Sequence, residues 1–203
     1  MKKTKKALIL SLCAVLLVTA SVLGTVAYLT STDEVVNTFT VGNVAITLDE
    51  LDVDNSTPGD NDRDKANSYK LLPGHTYTKD PIIHVDANSE DCYLFVKVTD
   101  EIVAIEGEKT VLQQMTEKGW TPVKGVDNVY VYMQSDKLAV VKGGTDVNVF
   151  DNFIVDGKVN NDTLADYANK TITVTAYAIQ ADGFEGKTAD QIWTTAGFGT
   201  NNP

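Results

Sequence analysis

The side chains of this 203-residue chain with chemistry beyond packing are His75, His84, Cys13, Cys92 and an acidic run from Asp49 to Asp64. Zinc hydrolysis needs neutral nitrogen ligands and a nearby general base, and no His-Glu-x-x-His stretch occurs. His75 follows the Pro73-Gly74 turn and His84 alternates with Ile83 and Val85, so both read as surface or strand positions rather than ligands. There is no Gly-x-Ser-x-Gly elbow and no cysteine-histidine arrangement near Cys92, so no catalytic residue is expected. Asp52, Asp54, Asp60, Asp62 and Asp64 cluster oxygen ligands of the kind hard cations prefer. An EF-hand starting at Asp54 would place Gly59 correctly but then Lys65 where Glu is required, so the run reads as a weak calcium candidate or as a solvated, self-repelling loop. No other cofactor is expected.

Those residues must be positioned by an exported domain. Lys2, Lys3, Lys5 and Lys6 precede an apolar run from Ala7 to Leu23, and the small residues Thr25 and Ala27 flank Val26. This is the pattern of a secretory signal over residues 1–27, cut between Ala27 and Tyr28, leaving 28–203 as a single domain. The uncharged stretch continues to Thr32, so an uncleaved anchor is the competing reading, and it would be the one route to a membrane. Cys13 has Leu12 before it, where lipid attachment wants a small residue. After cleavage Cys92 is the one thiol, unable to form an internal disulfide, and its alternation with Leu94, Val96 and Val98 marks it as a small buried hydrophobe.

Seventeen basic against 28 acidic residues give a formal charge of −11, which argues against a nucleic-acid partner and an anionic lipid surface. The cleaved chain would carry thirteen basic residues against the same 28 acidic ones, a formal −15. A hydrophobic share of 43% with 14 Gly and 5 Pro excludes a collagenous or wholly disordered polymer.

The elements are mostly strands. Alternation predicts them over Val35 to Leu48, as one or as two joined near Gly42, then at Tyr77 to Val85, Cys92 to Val103, Val129 to Met133, Leu138 to Val141, Val147 to Val155 and Thr171 to Ala181. Asp49 to Ser68 reads as a mobile surface loop. Short helices are expected at Glu108 to Lys118, ended by Gly119, at Thr163 to Asn169, and after a Thr188 to Gln191 capping box that leads into Ile192 and Trp193. Many evenly spaced strands, two or three short helices and no βαβ alternation predict an all-β, two-sheet sandwich.

The run LGTVAYLTSTDEVVNTFTVGNVAITLDE, Leu23 to Glu50, resembles the opening of the TasA/camelysin family, exported proteins of Gram-positive bacteria processed by the signal peptidase SipW. The matching features are Gly24-Thr25-Val26-Ala27, Tyr28 beside the cut, Asn37-Thr38-Phe39, Gly42 and the alternation into an acidic residue. LLPGHTYTKDPIIHVDANSEDCYLFVKV (Leu71 to Val98) and TAYAIQADGF (Thr175 to Phe184) resemble later stretches of the family. The resemblance implies a jelly-roll-like sandwich, secretion to the extracellular matrix or cell surface, and assembly into biofilm fibres, with further copies and other matrix proteins as partners. Camelysin-like members are called metallopeptidases, an activity this sequence gives no zinc motif to carry.

Strand physics and the resemblance together suggest a mechanism. Tyr28, Leu29, Thr30, Ser31, Thr32, Asp33, Glu34, Val35 and Val36 form a β-compatible arm that cleavage would free to add to a neighbour's sheet edge, with Tyr28 and Leu29 as anchors. A frayed terminus is the alternative for the arm. For the whole chain the alternatives are a camelysin-like surface metallopeptidase and a monomeric glycan or surface adhesin using Tyr130 and Tyr132.

Overall fold

The computed structural model describes residues 12–16, 42–54 and 63–198, and the chain divides into two units, Met1–Thr40 and Val41–Pro203. In the first, 12–16 are helical and Cys13 is exposed. The cleavage residues Thr25, Ala27 and Tyr28 and the arm from Tyr28 to Val36 lie outside the described residues, as do Asp60 and Asp62. Among the described residues no helix is long and apolar enough to cross a membrane.

In the second unit, alternating β-branched residues build antiparallel strands. One sheet joins β1 (Ile46–Leu51), β2 (Arg63–Asp64), β4 (Ile82–Val85) and β9 (Asp146–Asn148) in the order β2-β1-β4-β9. A second runs β11 (Ile172–Gln180), β5 (Cys92–Asp100), β7 (Val129–Gln134), β6 (Trp120–Pro122), with β8 (Lys137–Leu138) on β7. β3 (Thr76–Thr78) and β10 (Asn152–Ile154) form a separate pair. Ile83, Val85 and Val147 of the first sheet share a core with Leu94, Val96 and Val98 of the second, closed by Phe153 and Trp120. The fold is all-β, antiparallel sheets around a common core with few short helices.

The central strand β5 is buried on both faces. Cys92, Leu94, Val96 and Val98 enter the shared core, whereas Tyr93 and Phe95 enter a second cluster under α3 (Ala189–Ala196). Trp193 of that helix lies 5.6 Å from the Phe95 ring and 5.0 Å from Tyr177. The helix starts where expected, with the Gln191 side chain accepting from the Thr188 N–H at 3.1 Å. Burial of Cys92 pushes its thiol up to about 11, so it behaves as an inert hydrophobe.

Several expected boundaries move, each for a local reason. The Tyr77 to Val85 stretch is two strands in different sheets, broken at Pro81, which has no N–H for a ladder. Val147 to Val155 likewise divides into β9 and β10, because buried Val149 and Phe150 turn the chain from one sheet to the other. Of Leu138 to Val141, only Leu138 belongs to a strand, and Val141 makes an isolated bridge to Cys92. β5 stops at Asp100, whose carboxylate takes the Ile102 N–H at 2.9 Å and starts a 3₁₀ turn at Val103–Ile105. α1 (Val111–Glu117) begins three residues late because Thr110 caps it, and Gly119 follows it with φ +93°. α2 (Asn161–Ala165) begins two residues early, on an Asn160 cap. The loop expected from Asp49 to Ser68 is structured at both ends: β1 continues to Leu51, and Arg63-Asp64 pairs back onto Glu50 and Leu51.

Candidate binding groove

Register decides which backbone groups are left over at each sheet edge. In the β5–β11 ladder the Glu101 N–H donates to the Thr171 carbonyl and the Ala181 N–H to the Asp91 carbonyl, so odd-numbered residues of β11 pair with β5. Ile172, Val174, Ala176, Ala178 and Gln180 therefore turn their backbone N–H and C=O away from the sheet. By the same logic the Asp86 N–H on the Ala45 carbonyl makes odd residues of β1 pair with β4, and Ile46 and Leu48 turn theirs outward. β2 covers that edge only from Glu50 onward. Among the described residues no strand pairs with the remaining edge of either β1 or β11.

Both open edges line one cleft of about 1050 Å³. It is lined by Ile46, Leu48, Ile172, Val174 and Ala176, by the buried Ile102 and Phe153, and by Leu164 and Tyr167. The even-numbered side chains of β1 and β11 point toward the core, so the cleft is the open flank of the two layers, apolar within and bounded by unspent backbone hydrogen-bonding groups. That combination suits an extended peptide, which supplies the missing ladder partners and puts alternate side chains into the interior. The five β11 groups span about 26 Å of strand at roughly 3.3 Å per residue from Ile172 to Gln180, and those of Ile172, Val174 and Ala176 lie along the cleft.

A charged network adjoins the cleft, reaching its lining through Asp49, Glu50 and Lys79. Arg63, the single arginine of the sequence, lays its Nε on an Asp49 carboxylate oxygen, its Nη1 on Asp80 Oδ2 at 3.2 Å and its Nη2 on the Asp49 and Asp80 carbonyls at 3.3 and 3.2 Å. The same Asp49 carboxylate meets His84 Nε2 at 3.1 Å, while His84 Nδ1 meets Asp146 at 2.7 Å. Burial works against the charges on Asp49 and His84, but their mutual contact, with Arg63 and Asp146 added, outweighs it. The Asp49 carboxyl is held below its ordinary value and the imidazole above it. Beside them buried Glu50 takes the Lys79 ammonium at 2.6 Å and the Asn67 amide at 3.0 Å. Burial, reinforced by the charges of Glu50, Asp80 and Asp54, pushes the Tyr69 hydroxyl well up, so it stays a donor, bonded to the Thr78 carbonyl at 3.0 Å.

Glu101 fixes the start of β11, accepting from the Thr171 N–H and hydroxyl at 3.0 Å each and from Lys170 at 3.2 Å. Next to it two carboxyls adjoin. Glu106 is buried, and its oxygens accept from the Val111 N–H at 3.1 and 3.3 Å. Burial first, and then the Asp100 charge, push Glu106 up to about 8.

Three of the five acidic positions weighed for calcium, Asp52, Asp54 and Asp64, are among the described residues. Asp54 accepts from the Ser68 N–H at 2.6 Å and Asp64 from the Lys65 N–H at 2.5 Å, Asp52 stands on the segment after β1, and Asp60 and Asp62 lie outside the described residues. Among the described residues no three His, Cys, Asp or Glu side chains are grouped to hold a metal ion. His75 lies 6.3 Å from the Tyr77 ring, away from the acidic cluster. Tyr130 and Tyr132 are half-buried rather than exposed, both packed against the core, with Tyr132 5.2 Å from the Trp120 ring. The sequence reading passed over Arg63, Lys79, Asp100 and Glu106. A lone arginine amid acids was the available signal for the first, and nothing local announces the carboxyl pair. Compared with known proteins, the chain matches no family model, no curated protein and no solved structure.

Proposed function

We propose that this chain is a secreted, non-enzymatic structural protein of the TasA/camelysin type, with a jelly-roll-like sandwich, that assembles into extracellular fibres of a biofilm matrix. In this reading a SipW-type peptidase cuts after Ala27, and the freed arm Tyr28 to Val36 of one copy adds as a strand to the flank between β1 and β11 of the next. Such a contact joins two different surfaces, so it repeats head to tail into an open filament rather than closing. The observation that supports it most is the juxtaposition, across one cleft with apolar side chains inside and charged ones around it, of two strand edges unpaired among the described residues. A nine-residue strand without proline, whose outer edge no strand covers among the described residues, is the kind of surface that captures another strand.

Mature protein beginning at Tyr28 is compared with a version beginning at Phe39, by sedimentation and electron microscopy. The longer form sediments as polymer and shows fibres, and the shorter stays monomeric. A folded Tyr28 form that remains monomeric at high concentration overturns the reading.

A further inference from the structure

The carboxyl pair does not line the cleft itself but adjoins residues that do. Asp100 is the register partner of Ile172 in the β5–β11 ladder, and its Oδ1 holds the N–H of Ile102; Ile102 and Ile172 both line the cleft. Asp100 Oδ2 is buried and makes no hydrogen bond of ordinary geometry among the described residues, although the Val103 N–H also stands near the carboxylate. The group that adjoins it is the Glu106 carboxyl, so this oxygen is satisfied when Glu106 carries a proton and donates it. Glu106 in turn ties the turn to α1 through Val111, and the Ile105 carbonyl ties it to Asp156 through a 2.9 Å bond. Residues 100–106 are thus fastened on one side to β11 and on the other to α1 by a bond that needs one proton.

The charged groups on the surrounding elements do not replace that proton. Glu101 is engaged with Lys170 and Thr171, and Lys109 with Glu117 at 2.6 Å. Glu108, Asp156 and His75 stand on the segments packed around the turn, and among the described residues no ion pair reaches Asp100 or Glu106. Two carboxylates side by side, Glu106 buried and Asp100 half-buried, repel each other and leave Asp100 Oδ2 without a donor.

We propose that Asp100 and Glu106 form a proton-dependent clasp behind the cleft residues Ile102 and Ile172, which holds the start of β11 in place for an incoming strand and lets go under alkaline conditions. The part concerning strand capture rests on the function proposed above; the clasp itself does not. Burial of Glu106, with the Asp100 charge added, places the release near pH 8, within reach of an extracellular medium. Below that the turn is fastened, and above it the second carboxylate forms, the bond is lost and residues 100–106 loosen.

Amide exchange on dilute mature protein tests the clasp, read as protection factors so that intrinsic pH dependence is discounted. From pH 7 to 9 protection at Ile102 and Val111 falls about ten-fold, the factor expected one unit beyond the release point, while Val96 in the middle of β5 is unchanged. Glu106→Gln, whose amide donates to Asp100 at any pH, keeps its protection; if that variant does not fold, Asp100→Asn serves. Equal losses in the wild type and the variant overturn the clasp. For the link to the groove, the pelleted fraction drops at pH 9 in the wild type and holds in Glu106→Gln. Pelleting indifferent to pH while exchange responds removes the link and leaves the clasp. Absence of pelleting at every pH sinks the fibre reading instead, with exchange still deciding the clasp.

Discussion

Asp49 sits between a guanidinium and an imidazole, and that placement makes single side chains informative. Arg63 uses Nε and both terminal nitrogens on acceptors from Asp49 and Asp80, geometry a planar fork satisfies and a point charge does not. Arg63→Lys, though it keeps the charge, is expected to lower unfolding free energy by about 1 to 2 kcal/mol in urea titrations. His84 offers a pH test. Burial would lower its pKa, yet Asp49 and Asp146 raise it overall, so the folded imidazole holds its proton more tightly than the unfolded one. The stabilisation is therefore complete below the unfolded value, about 6.5, and is lost as pH rises through the higher folded value. Glu106 is also raised and acts in the same direction, so the measurement belongs in a Glu106→Gln background. There the urea midpoint should decline from pH 6 to 8.5, and adding His84→Gln should flatten it. A decline of equal size in both assigns the effect elsewhere.

At the level of elements, the alternation of backbone groups along β11 makes adjacent residues respond differently to one substitution. The Ala176 N–H points away from the sheet, whereas the Thr175 N–H belongs to the ladder opposite Lys97. Proline on the outward side of an edge strand removes no bond that the folded chain makes. Ala176→Pro should thus melt close to the wild type yet fail to form fibres, whereas Thr175→Pro should lose about 2 to 3 kcal/mol of stability. Thermal melts and sedimentation of the two variants decide this, and an Ala176→Pro form that still polymerises would move strand capture off the β11 edge. Helices were the more legible elements because their caps are local. The Thr188 to Gln191 box and Gly119 with φ +93° fall where the residues put them. Strand ends were less so, since Pro81, Val149 and Phe150 redirect the chain for reasons that lie in the opposing sheet.

For the molecule as a whole, like charge opposes any association between copies. Under the proposed cut after Ala27 the formal charge is −15, and screening shortens from roughly 30 Å at 10 mM salt to about 8 Å at 150 mM. Fibre growth followed by light scattering should accordingly speed up over that range, and growth that slows with salt would point to ion pairs as the driving contact instead. What the sequence determined by itself is everything carried by neighbours a few residues apart: the β class, the helix caps, the buried thiol at Cys92, the exclusion of a zinc motif. Where the acidic run after β1 would fold back was not among these, because Arg63 finds Asp49 and Asp80 only once β1 and the segment before β4 are side by side. Nor was the cleft, since alternation states which face of a strand is buried and says nothing of which edge lacks a partner. The tertiary structure decided those points: edges, clefts and the Asp100–Glu106 pair exist only between segments that the chain brings together from far apart.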